Sequence, residues 1–162
     1  MTSKSLVEEF LNQKRIAIVG VSHNKRKFGN AIHIELKKKG YEIFPVNPRL
    51  NVTEGNKCYP SLSSLPDGVD SVIISVAPDK TMSVVEEAKS AGMKKIWIQR
   101  GSQSLEAIKF CKENNIDVVS GECILMFSEP AMFIHRAHRW IHKITGKLPV
   151  EYAVSKIKIN PR

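Results

Sequence analysis

The chain has 162 residues, 42% of them hydrophobic, and a formal net charge of +9 at neutral pH. A length near 150 residues suits one domain that buries roughly 70% of the surface its unfolded chain exposes, and no apolar run approaches the ~20 residues that a membrane-spanning helix needs. The excess of Lys and Arg favours an anionic partner, whether nucleic acid, an acidic membrane surface or a phosphorylated small molecule, without choosing among them.

Three cysteines (Cys58, Cys111, Cys123) form no CxxC pair, and no apolar segment follows the polar amino terminus. A reduced, cytoplasmic setting is the expectation. Ser3 stands where an N-cap belongs, and Leu6, Val7, Phe10 and Leu11 give the residues up to about Asn12 an apolar side, which predicts a short helix packed on a sheet edge. The stretch 15–29 (RIAIVGVSHNKRKFG) then organises the rest. Ile16, Ala17, Ile18 and Val19 end abruptly at Gly20, and a small, basic loop leads to Gly29 and a helical pattern.

That order reads as a strand, a phosphate loop and a helix start. Gly20 permits a sharp exit from a buried strand, Ser22 offers a hydroxyl, and Gly29 leaves room where the unpaired N–H groups of a helix N-terminus face an anion. Lys25, Arg26 and Lys27 add positive charge, although a plain βα turn with a solvated basic loop fits the same pattern. Residues 30–39 predict a helix, with Ile32 and Leu36 four apart, Lys37, Lys38 and Lys39 at its carboxyl end and Gly40 as its stop. A strand over 41–46 ends at Asn47-Pro48.

Residues 49–69 are turn-rich, with a short edge strand around 57–59 and one helical turn at 61–65. The run 71–76 (SVIISV) is apolar throughout, as a strand covered on both faces should be. Pro78 and Asp79 start a helix through Ala91, with Met82, Val85 and Ala88 at helical spacing and Gly92 closing it. A strand over 95–99, a helix over 104–114 and a strand over Asp117–Ser120 follow.

This alternation predicts an α/β fold: a Rossmann-like, doubly wound, mostly parallel sheet with helices on both faces and right-handed crossovers. Such sheets bind ligands beyond the carboxyl ends of their strands. The stretches 20–29, 46–49, 76–80, 99–102 and 120–123 belong to that edge. A nicotinamide dinucleotide is disfavoured, because GxGxxG is reduced to its first glycine and the second strand ends in Val46-Asn47-Pro48 with Arg49 beyond, where an acidic residue would hold the ribose. A neutral amide followed by a cation suits a ribose bearing a phosphate, and no second domain to place a hydride acceptor follows.

Ile18-Val19-Gly20-Val21-Ser22 with Gly29, Ile43 to Pro48 (IFPVNP), Lys57 to Leu62 (KCYPSL), Val76-Ala77-Pro78 and Trp97 to Gly101 (WIQRG) together resemble the stand-alone coenzyme A-binding domain proteins. These are single Rossmann-like domains similar to the CoA-binding part of the succinyl-CoA synthetase α subunit. The resemblance covers about residues 8–127. This chain departs from the pattern at Arg100, where a proline is common, and in the basic segment after Cys123.

The resemblance implies coenzyme A or an acyl-CoA as the ligand. Gly20, Val21, Ser22 and Gly29, with the helix start at Asn30, look like the pyrophosphate cradle; Lys25, Arg26 and Lys27 are candidate phosphate contacts. Asn47, Pro48 and Arg49 take the nucleoside side, and Ala77, Pro78, Gln99 and Gly101 the remaining rim and the pantetheine path. A catalytic set is not evident: the phosphorylated histidine of the synthetase family sits in a second domain, and the rim offers only His23 and the pair Glu122 and Cys123. Cys123 reads as an apolar filler or a thiol able to form a mixed disulfide.

Residues 129–162 are expected to add an amphipathic helix and a tail. Pro130 opens it, Phe133, Ala137, Trp140, Ile141 and Ile144 form a stripe, and His135, His138 and His142 lie opposite as a solvated basic face, without the fourth ligand a metal site needs. The stripe suits packing on the 1–128 domain or on a sister subunit in a homo-oligomer. The sequence thus points to non-catalytic CoA binding, with a CoA-transforming or nicotinamide-dependent enzyme, or a subunit of one, as the alternative. A nucleic-acid-binding protein rests on charge alone, as no helix-turn-helix, zinc finger or aromatic RNP pattern is present.

Overall fold

A computed structural model describes residues 4–128; the expected C-terminal helix lies outside the described residues. Five parallel strands form one sheet: β1 (Arg15–Val19), β2 (Glu42–Val46), β5 (Ser71–Ile74), β6 (Lys95–Ile98) and β7 (Asp117–Ser120), in the order β2-β1-β5-β6-β7. Two short strands, β3 (Val52–Thr53) and β4 (Asn56–Lys57), make a separate antiparallel hairpin. The fold is the expected Rossmann-like α/β sheet with parallel neighbours throughout.

Strands apolar on both sides require two cores, and the sheet separates them. Ile16 and Ile18 of β1, Ile73 of β5 and Trp97 of β6 pack on one face with Val7 and Phe10 of α1 (Lys4–Leu11), Ile32 and Leu36 of α2 (Phe28–Lys38), and the four residues of α5 (Ile124–Phe127). Ala17, Val72, Ile74, Ile96 and Ile98 point to the other face, against Val84, Val85 and Ala88 of α3 (Pro78–Ser90) and Ala107 and Cys111 of α4 (Leu105–Glu113). Past the charged first residues, such as the exposed Glu42 and Asp117, the period-2 alternation therefore changes only which core a side chain faces.

Four local features depart from the sequence reading. The edge strand expected around 57–59 is instead β4, paired antiparallel with β3, while Tyr59 meets the sheet as an isolated bridge to Val46. α2 begins two residues earlier than predicted, at Phe28, so Gly29 and Asn30 lie in its first turn. β5 stops at Ile74, leaving Ser75 and Val76 as a turn into α3, whose N-cap is Ala77. α5 has no counterpart among the predicted elements, because four consecutive apolar residues carry no helical period.

Pro45 sits inside β2, which is tolerable because β2 is an edge strand. The Pro45 carbonyl accepts from the Tyr59 N–H at 2.8 Å, and the Asn47 N–H donates to the Tyr59 carbonyl at 2.9 Å. Within a strand the N–H and C=O of one residue point to the same side, so the donor that Pro45 lacks belongs to the outer edge and costs the β1–β2 ladder nothing.

Trp97 ties the first core together. It is fully buried, its ring stands 5.4 Å from that of Phe10 and 6.1 Å from that of Phe127, and its indole N–H donates to the Glu122 carbonyl at 3.1 Å. Replacing Trp97 with Ala removes these contacts and leaves a cavity beneath α1 and α5, an expected loss of about 3–5 kcal/mol, to be read from urea unfolding.

Candidate functional site

The chain passes from β1 outward to β2, then back across β1 to β5. The order of strands reverses between β1 and β5, and the helices that follow them, α2 and α3, leave for opposite faces of the sheet, the place where α/β sheets take ligands. The loop after β1 and the turn after β5 meet at this point. The Ser75 N–H donates to the Val19 carbonyl at 2.8 Å, carrying the β1–β5 pairing one step past the strands.

Two glycines make the crossing possible. Gly20 has φ +124°, a conformation that side-chain-bearing residues rarely adopt, and a Cβ there would run into the Ser75 carbonyl. At Gly29 a Cβ would run into the Gly20 carbonyl. The sequence reading assigns the space beside Gly29 to ligand oxygens; the structure fills it with main chain, so Gly29 first serves the close approach of α2 to the end of β1.

Asn30, 1% exposed, then fastens the loop. Its Oδ1 accepts the Ser22 N–H at 2.9 Å, and its Nδ2 donates to the Ser22 carbonyl at 2.8 Å and to the Asn24 carbonyl at 3.2 Å. The loop tightens further on itself: the Asn24 N–H donates to Ser22 Oγ at 3.2 Å and the Arg26 N–H to Asn24 Oδ1 at 3.0 Å. Asn47 holds the loop from the other side, with Nδ2 on the Val21 carbonyl at 2.7 Å and Oδ1 receiving the Arg49 N–H at 2.8 Å. Both amides act on the backbone of the loop.

The predicted residues thus sort into a frame and a surface. Val21, Gly29, Asn30 and Gln99 are buried, and Gly20, Ser22 and Asn47 are half-buried. Gln99 turns inward, its Oε1 accepting the Ile124 N–H at 3.2 Å, and so seats α5. Lys25, Arg26, Lys27, Pro48, Arg49, Ala77, Pro78 and Gly101 are exposed around the crevice. Among the described residues no hydrogen bond engages the main-chain N–H of Phe28 or Gly29, at the start of α2, where the helix dipole favours an anion.

The far rim is closed by the segment after β7. The Glu122 carbonyl receives both the Trp97 indole and the Arg100 N–H, the latter at 3.1 Å. Burial pushes the Glu122 carboxyl above its ordinary range, and the Arg100 charge pulls it part of the way back. Cys123 is 8% exposed and belongs to the apolar cluster under α5. His23 is exposed on the basic loop and forms no ion pair among the described residues. A concavity of about 440 Å³ lies at the opposite, amino-terminal edge of the sheet beside Lys14 and Tyr41, and none of the loop residues line it.

Comparison with known proteins identifies the domain. Residues 14–129 match the CoA binding domain family model. The chain belongs to that family. It is 31% identical over 123 residues to an uncharacterized protein of Bacillus subtilis, YneT, covering 75% of this chain and 91% of that protein. It is 33% identical over 119 residues to an ADP-forming acetate–CoA ligase of Methanocaldococcus jannaschii, covering 68% of this chain and 17% of the ligase.

Among solved structures, a conserved hypothetical protein of Pyrococcus furiosus superposes with a TM-score of 0.66 at 41% identity, covering 68% of this chain and 96% of that one. A dinucleotide-forming acetyl-coenzyme A synthetase of Ca. Korarchaeum cryptofilum gives a TM-score of 0.62 at 31% identity, over 70% of this chain and 26% of the synthetase. The chain therefore spans nearly the full length of the small relatives and only a minor part of the large ligases.

Sequence reasoning finds the glycines and the basic loop but misses that Asn30 and Asn47 hold it. An asparagine in the first turn of a helix that follows a glycine-bounded loop is the available signal, since its amide can both donate to and accept from the loop backbone. Gly29→Ala is expected to lower the urea unfolding free energy by about 1–3 kcal/mol, with or without ligand, because the methyl meets the Gly20 carbonyl; an unchanged midpoint would return that space to the ligand.

Proposed function

We propose that this chain binds coenzyme A or an acyl-CoA at the carboxyl edge of its sheet, and that binding without turnover is its role. The observation that supports this most directly is the locked loop at the point where strand order reverses. Asn30 and Asn47 fix its backbone, so the first amides of α2 and the backbone that carries Lys25, Arg26 and Lys27 stand ready for a pyrophosphate without a cost of ordering the loop main chain. In this reading Arg49, at the end of β2, faces the 3′-phosphate, Asn47 and Pro48 border the nucleoside, and Ala77, Pro78 and Gly101 border the pantetheine arm.

The non-catalytic part of the reading rests on the chemistry of the rim. Among the described residues no carboxylate pairs with His23 to orient it as a base, and the Cys123 thiol is buried beneath the rim. Similarity to CoA ligases supports a second reading, in which the domain supplies the CoA site to an enzyme completed by other chains or domains.

Native mass spectrometry of the freshly purified protein is expected to show a mass increment of coenzyme A or an acyl-CoA; an oligonucleotide or a nicotinamide dinucleotide in its place would overturn the reading. Calorimetry is expected to give tighter binding of coenzyme A than of 3′-dephospho-coenzyme A, and Arg49→Ala should abolish that difference. Combined Lys25→Ala, Arg26→Ala and Lys27→Ala should weaken binding about tenfold or more with an unchanged unfolding midpoint, since these side chains are exposed and each phosphate contact is charge-assisted. Incubation with acetyl-CoA or succinyl-CoA, with and without ATP and magnesium, should release no thiol beyond the protein-free control. Release exceeding the protein concentration and lost in His23→Ala would establish the enzyme instead.

A further inference from the structure

We propose that His33 is a pH-sensitive latch: its neutral imidazole holds the β3–β4 hairpin on α2 through Asn56, and protonation of its Nε2 releases that hairpin and loosens the Asn47 side of the crevice. His33 lies on the inner face of α2 and is fully buried. Its Nε2 is 3.1 Å from Asn56 Nδ2. The rest of the Asn56 amide is already committed: Oδ1 accepts from Lys37 Nζ at 2.9 Å, and Nδ2 donates to the Glu54 carbonyl at 3.0 Å.

With the oxygen turned to Lys37, the group facing His33 is the amide NH₂, which can only donate. Nε2 is therefore the acceptor, and the imidazole proton resides on Nδ1, which is buried and makes no hydrogen bond among the described residues. A second proton has one place to go. It would put an N–H against the Asn56 NH₂, two donors with no acceptor between them, at a fully buried ring.

The charges around the ring come from two elements. Lys37, one turn further along α2, opposes protonation, and Glu54 on the hairpin turn favours it. α5, which packs on the same helix, carries no charge (ILMF), and the charged residues of β1 and β2, Arg15 and Glu42, pair with each other at 3.1 Å. The nearby Cys58 thiol is pushed up by burial and stays neutral. Burial is the larger cause and, with Lys37, holds His33 below the ordinary imidazole value of 6.5.

The hairpin cannot hold itself. It has two residue pairs, Val52 with Lys57 and Thr53 with Asn56, and a two-stranded ribbon of that size has no independent stability. It leads directly into the crevice wall. The Cys58 N–H donates to the Asn51 carbonyl at 2.9 Å, the Tyr59 carbonyl accepts the Asn47 N–H at 2.9 Å, the Cys58 thiol donates to the Asn47 carbonyl at 3.8 Å, and Asn47 Nδ2 holds the Val21 carbonyl. Release of Asn56 therefore reaches the ligand loop through the short segment from Cys58 to Tyr59 and its hydrogen bonds to Asn47.

Linkage fixes the direction. The closed state binds the imidazole proton more weakly than the open or unfolded state, so the latch contributes fully above pH 6.5 and is lost as pH falls from there through the lowered value. Amide hydrogen exchange on the full chain tests this, after correction for intrinsic rates. Protection of the Cys58 and Asn47 amides is expected to fall by up to about tenfold per pH unit below 6.5, and to become independent of pH in His33→Leu. A flat wild-type profile, or the same slope in the variant, overturns the proposal.

Should His33→Leu fail to fold, nitrogen-15 imidazole spectra of the wild type decide alone. The expected result is a proton on Nδ1 in the neutral form and a titration below 6.5 that moves the Asn56 side-chain amide with it. A neutral form protonated on Nε2, or titration at or above 6.5, overturns it. Neither measurement contains a ligand, so the latch stands or falls independently of whether coenzyme A binds.

Discussion

The contact between the Gly29 Cα and the Gly20 carbonyl sets the geometry of the whole ligand edge. It lets the first turn of α2 approach the end of β1 closely enough for Asn30, the next residue, to reach back into the loop it has just left. Every other feature of the crevice follows from that reach. Ser22 and Asn24 are held by one buried amide, the intervening residues are pushed outward, and the basic side chains are displayed on a backbone that is already ordered. Without the glycine pair, α2 would stand off and the amide would have nothing to grip.

A second amide, half-buried at the end of β2, repeats the device. Asn47 closes the loop from the opposite side, and the Tyr59 strap in turn closes on Asn47. The crevice is thus assembled from three chain segments far apart in sequence, each contributing one hydrogen-bonded corner. Preorganisation of this kind separates the residues that shape a site from those that meet its ligand, and here the two sets alternate along a single loop.

The fold is readable from the sequence because its signals are redundant. Each buried strand is a short β-branched run, α2 and α3 carry apolar spacing and a glycine or proline near an end, and the predicted bounds of β7 match the structure to the residue. The site is readable in part. Gly20 and the Lys25, Arg26 and Lys27 cluster announce themselves by residue type, and Asn30 carries a local signal in its place at the helix start, but the inward turn of Gln99 depends on a partner 25 residues away, Ile124, that no local pattern encodes. His33 is invisible for the same reason. On a helical wheel it is one more polar residue near the apolar side, and only the hairpin that folds over it, anchored by Asn56, turns it into a buried base. α5 escapes because an apolar run of four has no period, and its helical state is imposed by the core it fills.

The proline at the edge of the sheet bears on how copies of this protein treat one another. An edge strand normally offers a row of unpaired donors and acceptors to any extended segment that drifts past, the starting point for runaway strand-to-strand aggregation. Along the carboxyl half of β2 that row has been dismantled: Pro45 has no donor, its carbonyl is taken by Tyr59, and the Asn47 donor is taken as well. The strap that steadies the ligand crevice therefore also blunts this end of the sheet edge, so that a passing strand from a crowding copy meets fewer unpaired groups beside the basic loop.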